Sequence, residues 1–197
     1  MLFKNKKRYV VHTMGDPVLR QVAAPVGAVT PVLRELAARM VEVVNAFEGV
    51  GLAAPQVGES VRMVVLNLPE ESMSDIPSPG EKALLGRMPL TIINPEVISC
   101  SPETECRDEG CLSLPDVWAP VERPARVFFR AMTIDGELLE FECGGLLGRC
   151  IQHELDHLDG KLFVDRVEPM ELGKVERELR QMQRYGEKHH FHRIKVK

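Results

Sequence analysis

The residues that most constrain this chain are His153 and His157, which belong to a His-Glu-x-x-His pattern at 153–157. Histidines four residues apart on a helix lie about 40° apart around its axis, one turn above the other, so both imidazoles can reach one metal ion. Glu154 then projects towards the flank of that ion, where it can accept a proton from a water molecule. The pattern therefore predicts two ligands and a general base of a catalytic metal site.

A helix around the two histidines is favoured by an apolar stripe at helical spacing, formed by Ile151, Leu155 and Leu158. Gly160 is typical of the residue that ends such a helix. The five-residue pattern also occurs by chance in unrelated chains. The rest of the sequence must therefore decide whether a metal is bound.

Size and charge limit the function classes that fit this chain. Its 197 residues suit one domain with a sizeable core, so we expect a single catalytic domain over 1–197. The net charge of −4 gives no basic field for nucleic acid or an anionic membrane surface. No run approaches the roughly 20 apolar residues of a membrane span. We expect neither DNA nor a membrane as a partner.

The cysteines indicate the redox setting. There are five, irregularly spaced and without a Cys-x-x-Cys pair, so a disulfide framework is not expected. Residues 1–8 are basic, but only Val10 and Val11 follow before His12, which is too short for the apolar core of a signal peptide. We therefore predict a reduced, cytoplasmic setting.

Helices are expected near both ends of the chain. Thr30 and Pro31 form a good N-cap and first-turn pair, and apolar residues at helical spacing follow to about Ala46. A charged amphipathic helix is expected at 168–185, followed by a basic tail at about 187–197.

Strands are expected between these helices. The patterns predict a strand at 61–67, further strand at 90–99, and a hairpin whose strands 127–134 and 138–142 flank Asp135-Gly136. Pro, Ser and Glu predict a long loop at about 69–89 with a short helical turn. Because strands and helices do not alternate regularly, the expected fold class is α+β, with a mainly antiparallel β-sheet packed around a central metal-binding helix.

Cys111 is the leading candidate for a third metal ligand. It stands beside a glycine in a segment that Pro115 ends, which indicates irregular or edge backbone. Most lone cysteines are small core residues, but a thiolate can complete the ligand set that the two histidines begin. Cys150, one turn before His153, is the other candidate, and we expect it to line the core between helix and sheet.

The stretch 49–56 has nearly bare backbone, with two glycines and two alanines. Such sequence lets a ligand or another strand approach the main chain, and Gln56 offers both an amide donor and an acceptor. A tight loop before a strand explains the same residues, because the third glycine of a dinucleotide-binding motif is missing.

Three stretches together resemble the signature motifs of peptide deformylases, in the family's order. They are Gly49-Val50-Gly51-Leu52-Ala53-Ala54-Pro55-Gln56, Glu109-Gly110-Cys111-Leu112-Ser113 and Gln152-His153-Glu154-Leu155-Asp156-His157. The segments 16–20 and 160–163 are also similar to the family, so the resemblance covers most of residues 12–167.

The resemblance implies a role for each group of motif residues. One divalent metal ion is bound, with a water in the fourth position, by Cys111, His153 and His157. Glu154 is implied as the general acid and base, and the Gln56 side chain and the Leu112 N–H as donors to the oxyanion. The residues implied to contact the substrate are Val50, Gly51, Glu109 and Leu146, with Cys150 also lining the methionine pocket.

The reaction implied by the resemblance removes the N-formyl group from the N-terminal methionine of newly synthesised proteins and releases formate. The implied cofactor is Fe2+, for which Zn2+, Ni2+ or Co2+ can substitute. The implied partners are N-formylmethionyl nascent peptides, and a transient contact with the ribosome is a further expectation.

The sequence departs from the family's pattern at several places. Arg107 and Arg149 stand where many members carry apolar residues near the pocket, and Trp118 stands where some carry an arginine. The insert between Leu68 and Leu90 is long for the family, and we consider a lid or an oligomer contact as its role.

Two other functions remain open at this point. One is a metalloprotease that cuts internal peptide bonds, with a downstream glutamate such as Glu171, Glu176 or Glu178 as third ligand. The other is a protein with a structural metal, or none, in which Glu154 has no catalytic part.

Overall fold

The computed structural model describes residues 10–189. The helices within this range are α1 (Pro31–Ala46), α2 (Pro79–Leu84), α3 (Gly145–Leu158) and α4 (Pro169–His189). The strands are β1 (Gly51–Ala53), β2 (Met63–Leu66), β3 (Leu90–Cys100), β4 (Thr104–Cys111), β5 (Leu114–Pro124), β6 (Arg126–Thr133) and β7 (Leu138–Gly144). The predicted α+β class is confirmed.

The strands form two antiparallel sheets. A five-stranded sheet has the order β1-β2-β3-β6-β7, and β4 pairs with β5 in a separate two-stranded ribbon. The predicted hairpin is present, because β6 and β7 pair across the turn at Asp135-Gly136, where Gly136 has a φ of 89°. A positive φ costs glycine little, which is why the Asp-Gly pair is such a strong turn signal.

Helix α3 packs against one face of the five-stranded sheet. Its buried side chains Leu147, Ile151 and Leu158 repeat at helical spacing and join a core that includes Val64 and Phe129. The helix on which the metal-binding histidines were predicted therefore lies at the centre of the fold.

Helix α1 covers the opposite face of the sheet. Thr30 caps it by accepting a hydrogen bond from Leu33 N at 3.2 Å, and Pro31 occupies the first turn, as predicted. Met63 of β2 packs with α1, whereas its neighbour Val64 packs with α3. Successive residues of a strand face opposite sides, so β2 is buried on both faces between the two helices.

The two-stranded ribbon and helix α4 form a third cluster. Leu179 of α4 packs with Val117 and Val121 of β5, and the predicted amphipathic helix is confirmed, although it begins at Pro169 and extends to His189. Of the predicted basic tail, residues 190–197 lie outside the described residues.

Strand β5 was not predicted. Its sequence contains Pro115, Pro120 and Pro124, and a proline demotes a strand pattern because it cannot donate to the ladder. In a two-stranded ribbon both strands have a free edge, so these prolines are tolerated there.

The insert between Leu68 and Leu90 is more ordered than the predicted loop. It contains α2, which Ser78 caps while the Glu81 carboxylate accepts bonds from the backbone N–H groups and hydroxyls of Ser74 and Ser78. Ser78 Oγ also accepts from Gly144 N at 3.1 Å, at the residue before α3. The insert thus packs against the beginning of α3.

Candidate metal centre and active site

Both histidines of the His-Glu-x-x-His pattern lie on α3, and their ring centroids are 5.1 Å apart. His157 and Glu154 are buried, and His153 is partly exposed. The helix packs by its apolar face and presents both imidazoles on another face, as the spacing predicted.

Cys111 comes to the histidines from the end of β4. A bulge between Gly110 and Cys111 interrupts the ladder there, and bulges commonly redirect a side chain. Cys111 Sγ lies 3.2 Å from Nε2 of His157. The ligand atoms of Cys111, His153 and His157 all lie within 4.8 Å of one another. This donor set fits a divalent transition metal with one position left for water or substrate.

Gln56 lies beside the thiol. Its Oε1 accepts a hydrogen bond from Ala53 N at 2.8 Å, which leaves Nε2 to donate to Ser113 Oγ at 3.2 Å and to Cys111 Sγ at 3.4 Å. The backbone N–H of Ser113 donates to the same sulfur at 3.3 Å. The sulfur thus accepts hydrogen bonds from one side-chain N–H and one backbone N–H, which fix its position beside the histidines.

Glu109 lies behind His153. His153 Nδ1 donates to Glu109 Oε2 at 2.9 Å, which leaves Nε2 free for the metal. Arg123 holds the same carboxylate through two hydrogen bonds of 2.6 and 2.9 Å, and Arg149 adds a third of 2.8 Å. Burial raises the pKa of Glu109, but Arg123 and His153 outweigh it and hold that pKa far below its usual range.

The buried charges continue beyond Glu109. Arg123, only 2% exposed, also donates to Asp156 Oδ2 at 2.9 Å, and Arg166 binds Asp156 through two hydrogen bonds. Arg123 and Asp156 were missed as functional residues from the sequence. For Arg123, the one signal in the sequence was that a charged residue stands among apolar residues just before the predicted hairpin.

Burial and neighbouring groups together set the pKa values of the two histidines. Burial lowers the pKa of His157 well below its ordinary value, which keeps that imidazole neutral and able to bind metal. For His153 burial also lowers the pKa, but Cys111 and Glu109 outweigh it and the net pKa is raised. A metal at this position takes the place of that proton.

Glu154 is 4% exposed, and its Oε2 has no hydrogen-bond partner among the described residues. Burial raises the pKa of this carboxyl to about 7, against the opposing effect of His153. Gly51 lies against it: a Cβ at Gly51 would overlap Glu154 Oε1 and stand 2.7 Å from Cys150 Sγ. The bare backbone at this glycine therefore makes room for the carboxyl, a reason that sequence alone did not supply.

These groups line one cavity of about 560 Å³. Val50, Leu146 and Cys150 form its apolar side, and Glu154 and His153 lie on its wall. Cys150 is also part of the core between helix and sheet, as predicted. Among the cavity's lining residues, none comes from the insert at 69–89, so the hypothesis that the insert is a lid finds no support.

The three departures from the family's pattern differ in location. Arg149 lines the cavity but is buried, and its guanidinium donates to Val121 O and Glu105 O at 3.0 and 2.7 Å. Arg107 is exposed, pairs with Glu105 and does not line the cavity. Trp118 lines the cavity and is 66% exposed.

Comparison with known sequences identifies the family of this chain. A profile of the polypeptide deformylase family matches residues 9–172. The chain belongs to the polypeptide deformylase family. It is 40% identical over 173 residues to a peptide deformylase of Acinetobacter baumannii, covering 88% of this chain and 90% of that one. It is 42% identical over 161 residues to the peptide deformylase of Thermotoga neapolitana, covering 82% and 88% respectively.

Solved peptide deformylase structures share the fold. The crystal structure of the Thermotoga maritima enzyme has a TM-score of 0.71 at 39% identity, covering 83% of this chain and 99% of that one. A plant peptide deformylase crystal structure has a TM-score of 0.78 at 31% identity, covering 96% of both chains.

Family membership confirms the expected activity. The chain is a peptide deformylase, an enzyme that removes the N-formyl group from nascent peptides. Peptide deformylases are metalloenzymes, and in this chain Cys111, His153 and His157 bring one thiol and two imidazoles close enough together to hold a metal ion. The metalloprotease alternative is not favoured. The structure shows no helix within residues 10–189 that is long and apolar enough to cross a membrane.

Proposed function

We propose that Cys111, His153 and His157 hold one Fe2+ ion, and that Glu154 moves the protons of deformylation. The observation that carries this proposal is the set of three ligand atoms within 4.8 Å of one another, beside a buried carboxyl oxygen that has no hydrogen-bond partner within residues 10–189. A divalent ion bound there supplies Lewis acidity to the formyl carbonyl and to a water molecule. Zn2+, Ni2+ and Co2+ suit the same ligands.

Glu154 is the general base and then the general acid. A carboxyl whose pKa lies near 7 can accept a proton from the attacking water and later return it to the leaving nitrogen. Glu154 is buried, with the backbone of Gly51 against it, which limits the water that could compete for that proton.

Gln56 and Leu112 are the proposed donors to the oxyanion. The Gln56 amide is held 3.4 Å from Cys111 Sγ, so its N–H groups border the ligand cluster. Leu112 follows the ligand cysteine directly and lines the cavity. Losing one such donor typically raises the barrier by about 2.7–4 kcal/mol.

The methionine side chain is proposed to enter the apolar side of the cavity, between Val50, Leu146 and Cys150. The peptide backbone would lie beside Val50 and Gly51 as an added strand. Glu109 was expected among the substrate contacts. Because its carboxylate is taken up by Arg123, Arg149 and His153, we propose that its side chain positions His153, and that its backbone alone borders the peptide.

The proposed setting is the cytoplasm, with N-formylmethionyl nascent chains as partners. The five cysteines are free, which is consistent with a reducing compartment. A transient contact with the ribosome is proposed as well. The basic tail from Lys188 to Lys197 is the segment considered for it, and residues 190–197 of that tail lie outside the described residues.

The glutamates that a metalloprotease would need do not join the ligand cluster. Within the part of the chain that the structure describes, the metal-binding cluster contains Cys111 and no carboxylate. Glu171 binds Lys174 and Glu176 binds Arg180 on the surface of α4.

The test is release of formate and free amine from a formyl-methionyl tripeptide, using enzyme purified without oxygen whose bound metal is counted. We expect turnover with about one metal per chain, abolished in Glu154→Ala with the metal retained. Cys111→Ala should lose the metal, whereas Glu176→Ala, the matched control, should keep metal and activity. A fully metallated sample that shows no turnover would contradict the proposal.

A further inference from the structure

Trp118 is the single tryptophan of the chain and is 66% exposed. It lies on β5 directly opposite Gly110, the residue before Cys111. A Cβ at Gly110 would stand 2.7 Å from the indole ring, so the ring occupies the space where a side chain would otherwise be. The indole is therefore held against β4 while most of its surface faces solvent.

The indole belongs to the same cavity as the catalytic groups. Trp118, His153 and Glu154 all line it. Trp118 of β5 pairs with Gly110 of β4, and the ligand Cys111 is the next residue of β4. Because an extended chain advances only about 3.3 Å per residue, a peptide whose formyl group reaches the metal ligands passes the indole within its first few residues.

The cavity wall carries three acidic side chains. Glu48, Asp108 and Asp116 line the cavity, and none of their carboxylates forms a hydrogen bond or ion pair with another residue in 10–189. Asp108 lies on the same face of the ribbon as Trp118, diagonally across the two strands. The one lysine or arginine lining the cavity within the described range is Arg149, whose guanidinium is engaged by Glu109 and by the carbonyl oxygens of Val121 and Glu105.

We propose that Trp118 is a specificity-determining residue that selects formyl-methionyl peptides with a lysine or arginine at the second or third position. The side-chain cation stacks on the exposed face of the indole, since a cation is attracted to the electron-rich face of an aromatic ring. Asp108 and Asp116 strengthen the preference and oppose acidic side chains. This inference rests on the proposed deformylation and names its preferred substrates.

The experiment compares kcat/KM for formyl-methionyl tetrapeptides that carry lysine, norleucine or glutamate, first at the second position and then at the third. Norleucine has a similar chain to lysine without the charge. At low salt we expect the order lysine, norleucine, glutamate at one or both positions. The ratio of lysine to glutamate should fall as salt rises, because screening weakens attraction at an exposed site.

Three variants test whether Trp118 and Asp108 cause the preference for lysine. Trp118→Leu should lower the lysine-to-norleucine ratio of kcat/KM by about threefold to fivefold, in line with a cation on an exposed ring. Trp118→Arg should reverse the order, so that glutamate peptides become the better substrates. Asp108→Asn should lower the lysine-to-glutamate ratio, whereas Glu103→Gln removes a charge from the exposed end of the same hairpin, outside the cavity, and should leave the ratio unchanged.

The outcomes separate this inference from the proposed function. Equal kcat/KM for all peptides, or a lysine preference that survives Trp118→Leu and is not reversed in Trp118→Arg, overturns the role of Trp118 while deformylation stands. Failure of the wild-type, metal-loaded enzyme to deformylate any peptide overturns the proposed function itself. Thermal unfolding of each variant shows whether it is folded, and the exposure of Trp118 predicts that both its variants are.

Discussion

His153 Nδ1 and Glu109 Oε2 lie 2.9 Å apart, and this hydrogen bond joins the proposed metal-ligand cluster to a buried row of charges. Arg123 holds Glu109 on one side and Asp156 on the other. Asp156 lies on α3, the same helix that carries His153. The orientation of the imidazole is therefore fixed from β4, from β5 and from its own helix.

Glu109→Gln should weaken metal binding by about 10–100-fold, as is typical when the partner of a ligating histidine is lost. The amide carries no charge, so the imidazole loses the anion that fixes its donor nitrogen. Affinity is measured by competition with a chelator for Co2+ or Zn2+. The control is Glu105→Gln, an exposed charge on the same strand. If both variants bind metal as the wild type does, Glu109 has no positioning role.

Arg123→Met should destabilise the fold by about 3 kcal/mol, the lower end of the range for breaking a buried ion pair, because Glu109 and Asp156 lose the cation that they share. Glu109 keeps its pairing with Arg149, and Asp156 keeps its pairing with Arg166. The loss appears as a lower urea midpoint at an unchanged slope. Arg126→Met is the matched control, since Arg126 is exposed and its ion pair with Glu142 is long, at 3.5 Å. Its effect should stay within about 0.5 kcal/mol. Similar losses in the two variants would show that the buried charges are not coupled as described.

The sequence predicted those parts of the molecule that depend on local periodicity. The helix around His153 and His157 was predicted because its apolar stripe repeats at helical spacing, and the hairpin because Asp135-Gly136 specifies its turn. Strand β5 was missed because its prolines argue against a strand, although a two-stranded ribbon tolerates them.

Long-range partners could not be predicted in the same way. Arg123 was missed because its partners, Glu109 and Asp156, lie 14 and 33 residues away and meet it only once the ribbon packs on α3. Gly51 was interpreted as room for a ligand, whereas the structure also places the Glu154 carboxyl against it. Such contacts depend on tertiary packing that no local pattern encodes.

Gly51→Ala should reduce turnover by about 100-fold, because the new Cβ would overlap Glu154 Oε1 and displaced catalytic groups typically lose activity on that scale. Metal content should be retained, since the overlap involves no ligand atom. The measurement is kcat together with metal per chain. Gly27→Ala is the control, because nothing lies within 4 Å of a Cβ there. Full activity in Gly51→Ala would mean that Glu154 has room to move without consequence.

Glu81→Gln should destabilise the enzyme by about 1.5–3 kcal/mol at pH 7, the range for hydrogen bonds to a charged group. Burial raises the pKa of Glu81, but hydrogen bonds from Ser74 and Ser78 outweigh it, so the pKa in the folded protein is lowered. A lowered pKa means that the stabilisation is fully present above the unfolded value of about 4.3 and is lost as pH falls through the folded value.

The stability difference between wild type and Glu81→Gln should therefore be constant near neutral pH and shrink below about pH 4. Urea unfolding at a series of pH values measures it. Glu71→Gln, an exposed carboxylate of the same insert, is the control and should change stability little at any pH. A difference that stays the same down to pH 3 would show that Glu81 stabilises the insert by packing alone. Because Ser78 also accepts a hydrogen bond from Gly144 N, the loss of this charge should loosen the beginning of the helix that carries His153 and His157.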